Sequence, residues 1–174
     1  MRKFIITLIV LISTGTAWQV KAQNNAAEQA DILKVGQTVP DFKYSSADGK
    51  TISFSSLNNK VKVITFFATW CGPCRAELPH VEKEIWNKYK QNNKFELLIF
   101  GREHTQKVVD DFKAKNNFSM PFYADPKREI YALFAKGYIP RMYLVNESGK
   151  IIYKTTGFSQ EEFNTLLKKL EELL

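Results

Sequence analysis

The sequence predicts an α/β domain: a central mixed β-sheet flanked by helices on both faces. Three observations carry that expectation. Apolar, β-branched runs suited to buried strands alternate with helix-period segments in the middle of the chain. A short extended pair precedes them. A hairpin and one more helix close the chain. The order, β-β then β-α-β-α then β-β-α, asks for parallel and antiparallel pairing in one sheet.

The elements follow in chain order. Met1-Arg2-Lys3 is a positive start, and Phe4 to Ile12 is apolar apart from Thr7. Small and polar residues then lead to Val20-Lys21-Ala22. This three-part layout is that of a secretory signal over residues 1–22 with a cut after Ala22. The apolar run falls well short of the roughly 20 residues a spanning helix needs. An uncut N-terminal anchor is the rival reading. Residues 23–34, "QNNAAEQADILK", read as a flexible lead-in, and the domain is expected over 35–174. Phe42–Tyr44 and Thr51–Phe54 are short extended pieces joined by an Asp48-Gly49 turn.

Val61 to Ala68, "VKVITFFA", has the composition of a strand buried on both faces. From Cys74 the period becomes helical, with Leu78, Val81, Ile85 and Tyr89 on one face. Pro79 lies inside that pattern and should distort the helix. "FELLIF" over Phe95–Phe100 is a second buried strand. Thr105–Lys115 reads as a helix with Val108, Val109 and Phe112 inward, and Pro126–Phe134 as a short one. Tyr138–Val145 is a strand containing Pro140. "NESGK" turns the chain into Ile151–Lys154. Ser159-Gln160-Glu161-Glu162 is a capping box opening a last helix with Phe163, Leu166, Leu167 and Leu170 inward.

The composition narrows the function. The chain of 174 residues is one domain in size, with a formal charge of +7. Cleavage after Ala22 removes Arg2, Lys3 and Lys21 and no acid, leaving +4. The remaining Lys and Arg are interleaved with Asp and Glu, so no nucleic-acid arm is expected. A monomer is expected.

Chemistry concentrates in "FFATWCGPCRAELPH", Phe66 to His80, which holds both cysteines, Cys71 and Cys74. An exported chain meets an oxidising compartment, where disulfides persist. Cys-x-x-Cys closes too small a loop to stabilise much, because that gain grows with loop length. A zinc site needs four ligands, and His80 and His104 lack the spacing to complete one, so no metal is expected.

Electron exchange suits the spacing better. Cys71 ends the strand and Cys74 sits in the first helical turn, facing it. Unpaired N–H groups and the helix dipole favour a thiolate at Cys71. Such thiols titrate from roughly 3.5 to 7.5, against about 8.5 for a free cysteine. Cys71 is therefore the expected nucleophile and Cys74 the resolving thiol. Pro73 suits the first helical turn, Gly72 admits a partner's backbone, and Trp70 offers an apolar surface beside the sulfur.

Trp70-Cys71-Gly72-Pro73-Cys74, with Pro79 on the following helix, resembles the thioredoxin superfamily. The exported context, "VGQTVPDF" and "CRAELP" bring residues 35–174 closest to TlpA/ResA-type thiol-disulfide oxidoreductases. The resemblance implies a thioredoxin-like fold and a redox-active disulfide with no other cofactor. It implies disulfide-bearing client proteins, such as apocytochromes c or other exported thiol proteins, and a membrane-linked thiol electron donor. Pro140 matches the family's cis-proline, which faces the cysteines and would leave the Ile139 backbone free to pair with a client strand. Glu77 matches a buried acid that would shuttle a proton to and from Cys74. The buried Asp of thioredoxin, six residues before the first cysteine, is Thr65 in this chain, so proton handling must differ. His80 and His104 are expected at the surface or behind the site.

Gly-Pro between the cysteines resembles the reducing members. The expected function is therefore periplasmic reduction of partner-protein disulfides. Two alternatives stand beside it. One is a non-catalytic module that grips thiol clients. The other is a thiol peroxidase of the peroxiredoxin type, whose Pro and Thr before the reactive cysteine are Ile64 and Ala68 here.

Overall fold

The computed structural model describes residues 26–46 and 48–174. The leader expected over 1–22 lies outside the described residues. Among the described residues no helix is long and apolar enough to cross a membrane.

β1 (Lys43–Ser45) and β2 (Thr51–Ser53) form an antiparallel ribbon, followed by a 3₁₀ turn at Phe54–Leu57. The main sheet holds β3 (Val61–Phe67), β4 (Phe95–Arg102), β5 (Tyr123–Asp125), β6 (Arg141–Val145) and β7 (Ile151–Thr156), in spatial order β5-β4-β3-β6-β7. β3 pairs in parallel with β4, and β4 with β5. β6 runs antiparallel to both β3 and β7. The helices are α1 (Gly72–His80), α2 (Gln106–Lys115), α3 (Tyr131–Phe134) and α4 (Gln160–Leu173). The sheet is mixed and centred on β3, the strand that leads into the cysteines.

The pleat of β3 separates two apolar layers. Val63 and Phe67 face one side, with Leu97, Ile99, Met142 and Leu144 of its neighbours. α1, α2 and α4 cover that side through residues such as Leu78, Val109 and Leu166. Ile64 and Phe66 face the other, with Leu98, Phe100, Tyr143 and Val145. The ribbon, the 3₁₀ turn and the single-turn α3 cover it, with Phe42, Phe54, Tyr131 and Phe134 packed ring against ring. All seven residues of β3 are buried, Lys62 included.

Several elements differ from their sequence expectation. The start of α1 agrees with it: the helix begins at Gly72 with Cys71 as its N-cap, so Pro73 and Cys74 lie in the first turn. After Pro79, which has no N–H to donate, the helix widens into a π-helical segment at Val81–Trp86 and ends at Asn87–Tyr89. Val108 is 40% exposed, because only one of two adjacent helical residues can point at the sheet, and Val109 takes that place. Phe112 and Leu167 are half-buried flanks of the same core.

The helix expected over Pro126–Phe134 shortens to α3. Arg128 takes a left-handed φ of 61°, and the Asp125 carboxylate accepts the N–H groups of Ile130 and Tyr131. The strand β5 carries no signal in the sequence: its three residues form a strand only by pairing with Phe100–Arg102.

Residues 26–34, expected to be a flexible lead-in, are held against the domain. Asp31 bridges Ala135, and the N–H groups of Ile32 and Leu33 donate to the Phe134 carbonyl. The physical reason is a buried cation. Arg141, fully buried in β6, ion-pairs with Asp31 through Nη1 and donates to the Ala27 carbonyl through Nη2 at 2.9 Å.

Candidate functional site

The end of β3 delivers Thr69, Trp70 and Cys71 to the start of α1. The Cys71 backbone is extended (φ −78°, ψ 110°), and the helix begins directly after it. The Cys74 N–H donates to Cys71 Sγ at 3.2 Å, and the Arg75 N–H to the Cys71 carbonyl at 3.1 Å. The sulfur of Cys71 therefore occupies the N-cap position, where orphan amides and the helix dipole favour negative charge. Cys71 and Cys74 are joined as a disulfide. Cys71 keeps 5% of its surface and Cys74 none, so only Cys71 is open to attack or to a partner.

One cleft of about 360 Å³ gathers most of the expected site. Trp70, Cys71, Gly72, Pro73 and Ile139 line it, together with Arg102 and Tyr138. Trp70 is 65% exposed at its edge. A Cβ added at Gly72 would meet nothing within 4 Å, so the missing side chain leaves the approach to the sulfur open rather than serving the core. The Ile139–Pro140 peptide is cis, and the Ile139 carbonyl lies 3.8 Å from Cys71 Sγ. A second cleft of about 370 Å³, between Thr69, Arg75 and Phe112, holds no sulfur.

Cys74 and Glu77 lie beneath the cleft on the buried side of α1. Glu77 is 2% exposed, and the Thr65 hydroxyl donates to its Oε2 at 3.3 Å. Burial pushes the Glu77 carboxyl up to about 8, against a smaller downward pull from Thr65. The position that is Asp in thioredoxin thus supplies a hydroxyl to an acid on the facing helix.

The two histidines take separate places. His80 is half-exposed and pairs with Glu84 at 2.8 Å. His104 is 9% exposed, and its Nε2 accepts the Thr69 N–H at 2.9 Å while Nδ1 faces the Glu103 carbonyl at 3.1 Å. That arrangement puts the ring proton on Nδ1 and fixes the backbone two residues before Cys71. Gly101 makes room for it: a Cβ there would stand 2.6 Å from Val109 Cγ2 and 3.3 Å from His104 Cβ. Among the described residues no group of three or more His, Cys, Asp or Glu converges as a metal site would require.

Sequence reasoning missed three contributors. Arg102 forms a charged wall of the cleft. Arg141 donates through Nε to the carbonyls of Gly137 (2.9 Å) and Tyr138 (3.1 Å), bracing the segment that presents Ile139. Tyr131 donates its hydroxyl to the same Tyr138 carbonyl at 2.7 Å. A lone Arg after Pro140 carries no sequence signal, since its partner Asp31 lies 110 positions away.

The comparisons with known proteins agree with this geometry. The Redoxin family profile matches residues 34–173. The thiol-disulfide oxidoreductase ResA of Bacillus cereus (strain ZK / E33L) is 26% identical over 164 residues, covering 94% of this chain and 93% of its own. ResA of Oceanobacillus iheyensis is 28% identical over 153 residues, covering 86% and 79%. Among solved structures, a Bacteroides thetaiotaomicron protein provisionally assigned as a protein disulfide isomerase superposes with a TM-score of 0.80 at 36% identity. It covers 83% of this chain and 92% of its own. StoA of Bacillus subtilis shares the fold, with a TM-score of 0.57 at 24% identity over 75% of this chain and 97% of its own. The chain belongs to the Redoxin family, and within it stands with the ResA-type thiol-disulfide oxidoreductases.

Proposed function

We propose that this thiol-disulfide oxidoreductase is exported to the periplasm and reduces disulfides of partner proteins through a Cys71/Cys74 cycle. The Cys71 thiolate attacks one sulfur of a client disulfide. The client S–S bond breaks, the attacked sulfur joins Cys71 in a mixed disulfide, and the other sulfur leaves as the first client thiolate. Cys74 then loses its proton and attacks Cys71 Sγ. The Cys71–Cys74 bond forms, and the second client thiolate departs with the electron pair. Two electrons have passed to the client, and a membrane-linked dithiol donor restores the pair.

The observation that carries this reading is the N-cap position of Cys71. Its sulfur takes an amide hydrogen bond from Cys74, keeps the pair's only exposure, and borders the Ile139 carbonyl. Trp70, Gly72, Pro73, Ile139 and Pro140 form the surface against which an extended client segment docks, with backbone pairing at Ile139. Glu77 handles the proton of Cys74. Burial raises its carboxyl to about 8, so it carries a proton at neutral pH and sits one helical turn from Cys74 to exchange it.

The test is a Cys74→Ser variant of the full chain incubated with disulfide-bearing exported proteins. Covalent partners should accumulate on Cys71 and be released by added dithiol. An absence of mixed disulfides would count against the cycle and favour a module that only grips its clients. Direction is tested by equilibrating the Cys71–Cys74 pair with a glutathione buffer: a strongly negative potential fits a reductase, and one near the strong oxidants reverses it.

A further inference from the structure

One wall of the reactive cleft is charged. Arg102 ends β4, next to β3, and shares the cleft with Cys71, Trp70 and Ile139. Its guanidinium carbon stands 5.9 Å from the centre of the Trp70 ring and 5.2 Å from that of Tyr131. The side chain is only 14% exposed. Its Nε is buried and, among the described residues, has no hydrogen-bond partner.

The compensation of that cation is thin. Glu103, 49% exposed, reaches Nη2 at 3.1 Å. Asp125 lies opposite Arg102 across the β4–β5 pairing, but its oxygens accept the N–H groups of Ile130 and Tyr131. Arg128 adds a second guanidinium 5.1 Å from the Tyr131 ring, so the surroundings of Arg102 are no more acidic than this. A largely desolvated guanidinium with one exposed partner gains from a further anion. Its planar fork suits a carboxylate, and Glu103 loses little by turning to water.

A client segment extended along Ile139 sets the geometry of that anion. Residues two apart on a strand face the same side. A client cysteine aimed at Cys71 therefore presents the side chain two positions away to the same cleft. We propose that Arg102 is a specificity determinant that selects client segments carrying an aspartate or glutamate two residues from the attacked cysteine. This inference rests on the reading of the cleft as a client groove.

The experiment uses the reduced full chain and symmetric disulfides of blocked-end peptides with Glu, Gln or Lys two residues from the cysteine, on either side. Exchange is followed by acid quench and mass spectrometry. For one of the two placements the Glu peptide should exchange about tenfold faster than its Gln counterpart, the size of one charge-assisted contact, with Lys slower than Gln. The Glu/Gln ratio should shrink as salt is raised. Arg102→Gln should bring the ratio to about one, whereas Lys168→Gln, which removes the same charge from exposed α4, should preserve it. Equal wild-type rates for Glu and Gln, a ratio unmoved by salt, or a preference that survives in Arg102→Gln would each overturn the inference while leaving the groove reading intact. Exchange with none of the peptides overturns both. If Arg102→Gln does not fold, Arg102→Lys replaces it: the point charge without the fork should keep only part of the preference, and a full preference overturns the inference.

Discussion

Glu77 holds its proton far above the usual range of a glutamate, because the fold removes it from water and offers only the Thr65 hydroxyl in return. The sign of the consequence follows from linkage. Between 4.5, its ordinary value, and about 8, the folded chain retains a proton that the unfolded chain releases. The contribution is fully favourable below 4.5 and is lost as pH rises through about 8, at up to about 1.4 kcal/mol per pH unit. Glu77→Gln should flatten that slope, so that the variant gains a few kcal/mol on the wild type between pH 4.5 and pH 8 in urea titrations. The same substitution should slow the Cys74 attack about a hundredfold at neutral pH, measured as decay of the mixed disulfide. An unchanged slope would show that Glu77 ionises normally in the fold. Gly101 is the other residue under tight constraint: Gly101→Ala should cost about 1–3 kcal/mol, and altered reactivity of Cys71 toward iodoacetamide would show the strain reaching the Thr69 backbone through His104. At this scale the cysteines and Trp70 were legible as residue types at fixed spacings, and Glu77 only through the family resemblance. Arg102 was not, because what makes it notable is the pair of rings around it, one of them from the distant α3.

The elements show which local signals survive folding. The capping box at Ser159 is realised on its backbone side, with the Ser159 hydroxyl accepting the Glu162 N–H at 3.2 Å. Ser159→Ala should therefore lower stability by about 1 kcal/mol, seen as a shifted denaturation midpoint with an unchanged m-value. The "NESGK" hairpin is equally local, with Gly149 at φ 81° and its N–H on the Asn146 carbonyl. β5 and the bounds of α3 are not legible in the sequence for the opposite reason: they are too short to carry a period and depend on pairing with β4 and on the Asp125 carboxylate. The segment before β6 depends on distant chain as well. Asp31 accepts from buried Arg141 and, at 2.6 Å, from Lys154. Asp31→Asn would leave Arg141 buried without a countercharge, and a loss of about 3 kcal/mol or more is expected in urea denaturation. A loss under 1 kcal/mol would mean that water reaches Arg141.

At the scale of the molecule, the fold class was readable because β3 and β4 are continuous apolar runs and the helices keep their period. The joining of residues 26–34 to the domain was not readable, since its cause is one cation placed far along the chain. The sheet has a further consequence, for the order in which the protein comes into being. The strand leading into the cysteines has its parallel neighbour in β4, yet its other edge is closed by β6, where Thr65 lies opposite Met142. Such distant pairing slows folding, because loop entropy must be overcome before any contact repays it. A nascent chain that has produced both thiols must therefore wait for most of the remaining sequence before its central strand is enclosed. Until β6 has paired, the strand that leads into the two sulfurs is open along one edge.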